Sequence, residues 1–142
     1  MRKYLLSISL SLLALLSCPM HAQRSLTFPD SIGERVKYNA TIEMKKGYIS
    51  GICILVNDEN MVKGCIFNEF GISAIDFTYQ LEQRKVKLVN VIKMLNKWYI
   101  KRILKRDLAQ VMENLSKGIM NYHDKKYNID YNFSILKDVA EE

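Results

Sequence analysis

Residues 47–79, GYISGICILVNDENMVKGCIFNEFGISAIDFTY, decide the fold of this chain. Three short apolar runs rich in Ile, Val, Phe and Tyr are separated by two polar breaks, residues 57–60 (NDEN) and 68–71 (NEFG). Each run is too short for a stable helix, and runs of this composition bounded by turn residues are typical of consecutive strands. The stretch therefore predicts an antiparallel meander.

The first hairpin of this meander can be given a register. A three-residue loop, 58–60, pairs Asn57 with Met61 and places Cys53 directly opposite Cys65. Opposed residues of an antiparallel pair lie close enough for a disulfide, so Cys53 and Cys65 are disulfide candidates, with two buried free thiols as the alternative. A four-residue loop would put the two thiols on opposite faces. In the three-residue register one face carries Ile52, Ile54, Val56, Val62 and Ile66.

Strands are also predicted on both sides of the meander. Residues 35–44 alternate apolar and polar side chains cleanly, which indicates a half-buried strand. A further strand is expected over residues 86–92. Near the C-terminus residues 127–135 alternate again, and we expect them to pair with residues 119–122 across a turn at 123–125.

One long amphipathic helix is expected between these strands, over residues 97–116. Its apolar positions recur at three- and four-residue steps, with Asn96 as the N-terminal cap and Gly118 as the stop. The apolar positions are Ile100, Ile103, Leu104, Leu108, Val111, Met112 and Leu115. The fold class is therefore α+β, mostly antiparallel β, with residues 35–142 forming a single β-rich domain.

Asp107 is the exception on the apolar side of this helix. It falls between Ile103 and Val111, so neither helical neighbour four residues away can pair with it. A buried carboxylate needs a partner. Asp107 is therefore predicted to be a buried polar residue that lies at the edge of the face, forms a structural ion pair with a basic residue of the sheet, or has a catalytic or ligand-binding role.

The N-terminus has the pattern of a secretory signal. Arg2 and Lys3 precede an apolar run over residues 5–16 that is too short to span a bilayer. Two processing routes are open: cleavage of residues 1–22 with a mature start at Gln23, or lipidation of Cys18. Both predict an exported protein, with residues 23–34 as an irregular lead-in to the domain.

Positive charge is concentrated in one part of the chain. The formal net charge is +6, and residues 84–106 contain nine basic and no acidic side chains. These cations are either a solvated face or a surface that attracts anionic lipid or an acidic partner. The basic residues of the predicted helix are Lys97, Lys101, Arg102, Lys105 and Arg106.

Several kinds of chemistry are disfavoured by the sequence. His123 is the only histidine after residue 22, which argues against multi-histidine zinc sites. The glycines are not spaced as a phosphate-binding loop, and no spacing brings two carboxylates together. We therefore expect no enzyme, cofactor or metal, and export disfavours nucleic acid as a partner.

The meander "GICILVNDENMVKGCIFNEFGISAIDF", the basic segment after it and the helix "KWYIKRILKRDL" together resemble the LolA/LolB-like group. These are envelope proteins of Gram-negative bacteria, and the resemblance covers residues 35–115 as a matter of layout. It implies a curved, half-barrel-like sheet closed by the helix, with acyl chains held on the concave side. It also implies a periplasmic or outer-membrane-anchored location.

Two functions follow as hypotheses. The first is a non-enzymatic protein that binds lipid or lipoprotein and meets an anionic membrane through its basic stretch. The second is a small structural or protein-interaction module of the envelope with a filled core, and a cavity would distinguish the two. The lipid-facing candidates are Ile52, Ile54, Val56, Ile66, Ile100, Leu104, Leu108 and Val111.

Overall fold

A computed structural model describes residues 27–137 of the chain. The predicted signal peptide and the lipidation candidate Cys18 lie outside the described residues. A single turn of 3-10 helix, Lys93–Leu95, precedes the one long helix. The strands and the helix are β1 Arg35–Met44, β2 Gly47–Asp58, β3 Met61–Phe67, β4 Ser73–Gln80, β5 Lys85–Val91, α1 Trp98–Ser116, β6 Asn121–Asp124 and β7 Ile129–Ile135.

The seven strands form one antiparallel sheet in the order β5-β4-β3-β2-β1-β7-β6. The sheet is curled into a half-barrel, and the helix packs against it. The register shifts between Ile66 and Phe67 and again between Asp76 and Phe77, and such irregularities bend a strand and increase its twist. The predicted fold class, a curved meander sheet with one long amphipathic helix, is confirmed.

Helix α1 spans the open side of the half-barrel. Among the strands, its main contacts are with β5 and β6, which are the two edges of the sheet. Burial of one large apolar side chain stabilises by about 1.5–3 kcal/mol, so the buried side of α1 holds the helix firmly in this place. The buried residues of α1 are Leu104, Asp107, Leu108, Val111, Met112 and Leu115.

The core between sheet and helix is filled. Tyr38 and Tyr131 are completely buried and Phe77 is 1% exposed. The Tyr38 ring meets Phe133 edge to face, with 5.8 Å between the ring centroids. Phe28 of the irregular lead-in is also buried. The lead-in is therefore packed against the domain at Phe28 and Pro29, whereas residues 30–33 are exposed.

The two ends of α1 differ in how they are capped. The predicted cap Asn96 is wrong: the helix begins one residue later, at Trp98, with Lys97 in an extended conformation and no side-chain cap. The predicted stop at Gly118 is confirmed, because its φ of +81° is the left-handed conformation that glycine adopts easily. The amide of Gly118 donates to the carbonyl of Leu115 and that of Ile119 to Asn114, the paired bonds of a Schellman motif.

The register of the β2–β3 hairpin differs from the prediction. Asp58 pairs with Met61, so the loop has two residues, and Cys53 therefore lies opposite Ile66 rather than Cys65. A shift of one residue exchanges the two faces of a strand. Cys53 is buried in the core, Cys65 lies on the other face, and both are free thiols. The predicted disulfide is wrong for this reason.

The same shift changes the predicted apolar face. Val62 and Ile66 point into the core, whereas Ile52 and its neighbours two residues apart on β2 are half-buried on the outer face. There Ile54 lies beside Lys37 of β1. The prediction that Ile52, Ile54 and Val56 share the concave face with Ile66 is therefore wrong.

A close contact on the core face of β3 requires glycine at position 64. Gly64 is opposite Phe77 on β4, and the Phe77 ring covers it so closely that an added Cβ would lie 2.2 Å from Cζ. Only glycine leaves room for that ring on the core face. The predicted register also places Gly64 on the core face of β3, together with Val62 and Ile66. The difference lies in β2, whose pairing with β1 sets Cys53 opposite the buried Tyr38 and turns Ile52 outwards.

The C-terminal hairpin is present with a shifted turn. The predicted turn at 123–125 lies instead at residues 125–128, and Asn128 has a φ of 54°. His123 is therefore a strand residue of β6, and its Nδ1 lies 2.5 Å from a carboxylate oxygen of Asp130 on β7. This correction places Asp124 at the end of β6 and pointing into the protein, where it is 5% exposed.

Gly64→Ala is expected to lower the free energy of unfolding by about 1–3 kcal/mol, because the Phe77 ring has to move away from the new methyl group. The matched control is Gly47→Ala at the start of β2, where an added Cβ meets no atom within 4 Å. We expect that change to be neutral or slightly stabilising. Urea denaturation followed by circular dichroism measures both, and equal midpoints for the two variants would contradict the close contact.

Candidate functional site: a basic cleft at one end of the half-barrel

A cavity of about 890 Å³ opens at one end of the half-barrel. Four segments meet there: the β1–β2 turn, the 3-10 turn, the first half of α1 and the β6–β7 turn. This volume lies within the range of about 300–1,000 Å³ that is usual for small-molecule sites. We call this cavity the basic cleft.

The lining of the basic cleft combines two kinds of side chain. Its apolar and aromatic residues are Met44, Met94, Leu95, Trp98, Tyr99, Ile100, Ile103, Tyr127 and Ile129. Its basic residues are Lys45, Lys46, Lys97, Arg102, Arg106 and Lys126. Gly47 completes the lining, which contains no carboxylate of the described residues. The cleft therefore offers an apolar surface and an excess of positive charge to the same ligand.

Helical spacing brings the α1 residues to the cleft. Trp98, Arg102 and Arg106 follow one another at four-residue steps, which places them along one side of a helix. Tyr99 and Ile103 repeat the same step one position further on. The side chains of the buried face begin with Leu104, so the cleft lies beside the core and is not a part of it.

The β6–β7 turn carries the opposite wall. The guanidinium of Arg106 lies 5.7 Å from the centroid of the Tyr127 ring, and the ammonium of Lys126 lies 5.4 Å from it. Cations at this range are attracted to the face of an aromatic ring. Tyr127 therefore holds two of the six cations near each other, with their charge open to the cleft.

The buried carboxylate of Asp124 fixes the conformation of this turn from the interior of the protein. One of its carboxylate oxygens accepts hydrogen bonds from the amides of Lys126, at 3.0 Å, and Tyr127, at 3.2 Å. A carboxylate that accepts bonds from the backbone of a following turn fixes the conformation of that turn. The wall of the cleft therefore depends on a buried acidic residue behind it.

Asp107 lies next to Asp124 inside the protein. Asp107 is 1% exposed, and the hydroxyl of Tyr131 donates to it at 2.8 Å. The pKa of Asp107 is raised to about 7, chiefly by burial and also by the neighbouring Asp124, while Tyr131 and Arg106 act in the opposite direction. The expected ion pair with a basic residue of the sheet is thus wrong: the partners of Asp107 are a tyrosine and a second carboxylate.

The pKa of Asp124 moves the other way. Burial alone would raise it, but hydrogen bonds with Asp107 and with the amides of Tyr127 and Lys126 lower it below the ordinary value. Their surroundings therefore raise the pKa of Asp107 and lower the pKa of Asp124. Asp107 keeps its proton to a much higher pH than Asp124.

The predicted basic residues divide between the cleft and the remaining surface. Lys97, Arg102 and Arg106 line the cleft. Lys101 faces a separate cavity of about 170 Å³ beside β5, and Lys105 is exposed. The basic part of helix α1 is therefore split into two sides with different surroundings.

Most of the predicted lipid-facing residues lie elsewhere. Among these residues only Ile100 lines the cleft. Ile66 and the three helix positions Leu104, Leu108 and Val111 are buried in the filled core. The cleft residues that were not predicted come from turns, such as Lys46 and Tyr127, and from the first turn of α1, where Trp98 and Tyr99 lie.

The cysteines have surroundings that keep them protonated. Burial is the largest cause that raises the pKa of the Cys53 thiol and also that of the Cys65 thiol. Cys65 lies 3.6 Å from the hydroxyl of Ser73, which in turn donates to Asp76 at 2.7 Å. The Asp76 carboxylate adds to the raised pKa of Cys65, so neither thiol has the acidity of a reactive cysteine.

Two further findings hold for residues 27–137. No cluster of three or more His, Cys, Asp or Glu side chains there could hold a metal ion. No helix in this part of the chain is both long enough and apolar enough to cross a membrane.

No protein-family model, curated protein or solved structure matches the chain.

Asp107→Asn is expected to remove a pH dependence of stability. Because the pKa of Asp107 is raised from 3.8 to about 7 in the folded state, the folded protein keeps a proton that the unfolded chain loses. The free energy of unfolding of the wild type should therefore fall from about pH 4 to about pH 7 and then level off. Melting temperatures between pH 4.5 and 8.5 test this.

In Asp107→Asn this decline should disappear, so the variant gains on the wild type as the pH rises. The matched control is Asp130→Asn, an aspartate of β7 that is partly exposed and pairs with His123. Parallel melting curves for wild type and Asp107→Asn over the whole range would contradict the raised pKa.

Proposed function

We propose that this protein binds an anionic amphiphile, a molecule with an acyl or alkyl chain and a negatively charged headgroup, in the basic cleft. The observation that carries the proposal is the lining of the cleft, where nine apolar or aromatic residues and six basic residues surround about 890 Å³ without a carboxylate. An apolar chain alone would not require the cations, and a small anion alone would not require the apolar surface.

The arrangement of the two kinds of side chain supports a direction for the ligand. Leu95 and Ile129 are buried at the base of the cleft, whereas Arg102, Arg106 and Lys126 are exposed. The chain would lie against the apolar base, and the headgroup would meet the three cations at the opening. Guanidinium groups suit this role because their donors match carboxylate and phosphate oxygens in pairs.

This proposal keeps the lipid hypothesis from the sequence and moves its site. The concave face of the sheet is occupied by packed side chains such as Tyr38, Phe77 and Tyr131, so an acyl chain would lie beside the core and not inside it. This packing favours the alternative hypothesis, a protein-interaction module with a filled core. The presence of the basic cleft beside the core favours ligand binding instead.

The hypotheses about location and kinship remain predictions. Export, removal of residues 1–22 and lipidation of Cys18 concern residues outside the described part of the chain. The resemblance to the LolA/LolB-like group likewise stays a prediction from the sequence. The binding proposal rests on the cleft and stands without them.

The first test uses the only tryptophan of the chain, Trp98, which lines the cleft and is 73% exposed. Dodecyl sulfate, dodecyl maltoside and dodecyltrimethylammonium share a chain length and differ in headgroup charge. Below their micelle thresholds, we expect dodecyl sulfate to bind most tightly and to shift the Trp98 emission to shorter wavelength as the indole leaves water.

Arg102→Gln combined with Arg106→Gln is expected to weaken dodecyl sulfate binding roughly thirtyfold, because each cation near the anion contributes about 1 kcal/mol. The matched control is Lys101→Gln with Lys105→Gln, which removes the same charge from the same helix away from the cleft. Equal affinities for the two double variants, or equal binding of all three amphiphiles, would contradict the proposal. Native mass spectrometry of protein purified without detergent then identifies the natural occupant.

The rim of the cleft favours delivery from an anionic membrane. Met94, Trp98 and Tyr99 line the cleft and are 53%, 73% and 46% exposed, and Lys46 and Lys97 of the lining are exposed as well. Tryptophan and tyrosine favour the interface between lipid and water, where lysines meet anionic headgroups. The amphiphile could then enter the cleft without crossing free solution.

Lys46→Gln with Lys97→Gln should weaken binding to vesicles of phosphatidylglycerol and phosphatidylcholine by roughly thirtyfold, at about 1 kcal/mol per charge. Lys85→Gln with Lys87→Gln on β5, away from the rim, is the matched control. Co-sedimentation at low and physiological salt measures both, and binding should fall with salt as exposed charges are screened. Equal loss in the two variants would mean that net charge, and not the rim, attracts the membrane.

A further inference from the structure

Two buried carboxyl groups join helix α1 to the β6–β7 hairpin directly behind the cleft wall. Asp107 belongs to α1 and Asp124 ends β6, and they are 1% and 5% exposed. The two groups are within hydrogen-bonding reach of each other. Nothing in the proposed binding of an amphiphile requires either of them.

Each carboxyl group has one oxygen that is satisfied and one that is not. Asp107 Oδ2 accepts the Tyr131 hydroxyl, and Asp124 Oδ1 accepts the amides of Lys126 and Tyr127. Asp107 Oδ1 and Asp124 Oδ2 are buried, and no N–H or O–H group of the described residues donates to them. Buried oxygens of this kind are costly unless hydrogen-bonded. A proton between the two carboxyl groups satisfies both.

The charged and titratable groups around the pair do not supply another donor. From α1, Arg106 acts on both carboxyl groups through its charge, but no hydrogen bond or salt bridge joins it to either. From β7, the Tyr131 hydroxyl already donates to Asp107. From β6, the Tyr122 ring lies 6.0 Å from that of Tyr131. Burial raises the pKa of Tyr122, and the charges of both carboxyl groups act in the same direction.

We propose that Asp107 and Asp124 share one proton, and that this proton fastens the β6–β7 turn against helix α1 and so holds the basic cleft in its binding form. When the proton is released to solvent, two negative charges remain at hydrogen-bond range in a buried place. They repel each other, and the turn that carries Lys126 and Tyr127 separates from α1. This inference rests on the proposed function, whose site it regulates.

Loss of the shared proton is expected to weaken ligand binding, because the turn that Asp124 fixes carries residues of the cleft lining. Asp124 sets the turn through the amides of Lys126 and Tyr127, and both side chains line the cleft. Arg106, one residue before Asp107, faces Tyr127 across the cleft. Separation of the turn from the helix therefore parts Arg106 from its aromatic partner. The cleft binds its ligand below neutral pH and releases it as the pH rises.

Dodecyl sulfate is the probe, because its charge is constant between pH 5.5 and pH 8. Asp107→Asn mimics the shared proton at every pH, since its amide can donate to Asp124 while its oxygen still accepts from Tyr131. With a pKa of about 7 for Asp107, roughly a tenth of the wild type keeps the proton at pH 8. The wild-type Kd should therefore rise roughly tenfold from pH 5.5 to pH 8, and that of Asp107→Asn should stay constant.

Amide hydrogen exchange of Lys126 and Tyr127 tests the fastening without any ligand. At pH 5.5 the wild type and Asp107→Asn should exchange these amides equally, and at pH 8 the wild type should exchange them faster. Asp124→Asn, which also supplies a fixed donor between the two groups, serves if Asp107→Asn does not fold. His123→Gln is the control, because histidine ordinarily changes charge in this pH range.

The outcomes separate the two proposals. An equal exchange ratio at both pH values overturns the shared proton, whatever dodecyl sulfate does. A changed exchange ratio with a constant Kd overturns the link between the turn and the cleft. A changed exchange ratio with no binding at any pH supports the fastening and overturns the proposed function. Loss of the pH dependence in His123→Gln would assign it to His123 and overturn the inference.

Discussion

The contact of helix α1 with both edges of the sheet is the constraint on which the structure depends. A sheet of seven strands that curls into a half-barrel has a concave apolar face and two edges with unpaired backbone groups, and each is a liability in water. Because α1 touches β5 on one side and β6 on the other, one helix covers the face and shields both edges. The apolar pattern of residues 98–116 and the curl of the sheet therefore depend on each other, because the curl brings both edges within reach of one apolar helix.

The cleft arises where this closure is incomplete. Towards its first turn, α1 leaves the filled core, and its side chains meet two turns and not a strand face. Aromatic and basic side chains cover the gap, and the helix starts there without a side-chain cap or an acidic residue in its first turn. Positive charge at a helix N-terminus is unfavourable for the helix itself. Helix stability therefore does not account for this arrangement.

The sequence predicts the elements of this protein better than their pairing. Alternation over residues 35–44 and the three- and four-residue steps in α1 are local signals, and both give the correct element. The register of β2 and β3 is not local: the NDEN segment permits a two- or a three-residue loop. The pairing of β2 with β1, which sets Cys53 opposite the buried Tyr38, decides which face of β2 points inwards. The faces of Cys53 and Ile52 follow from that pairing.

The cleft was beyond prediction for a related reason. Its walls come from residues 44–47, 94–106 and 126–129, and the sequence shows a basic stretch in the second of these alone. Asp107 could be recognised as an exception on the apolar side of the helix, because helical spacing is local. Its partner Asp124 could not, because a shift of two or three residues in the turn after β6 decides whether that carboxylate points inwards.

The strand order also implies a sequence of folding events. Within the group β1 to β5, each strand pairs with its neighbour along the chain, so these five strands can assemble through short loops, which close quickly. Strand β7 pairs with β1 instead, for example Ile135 with Tyr38, and this contact closes most of the described chain into one loop. The five-stranded meander is thus expected to form first with an uncovered apolar face. The helix and the last hairpin complete the domain together, at the step that also builds the cleft.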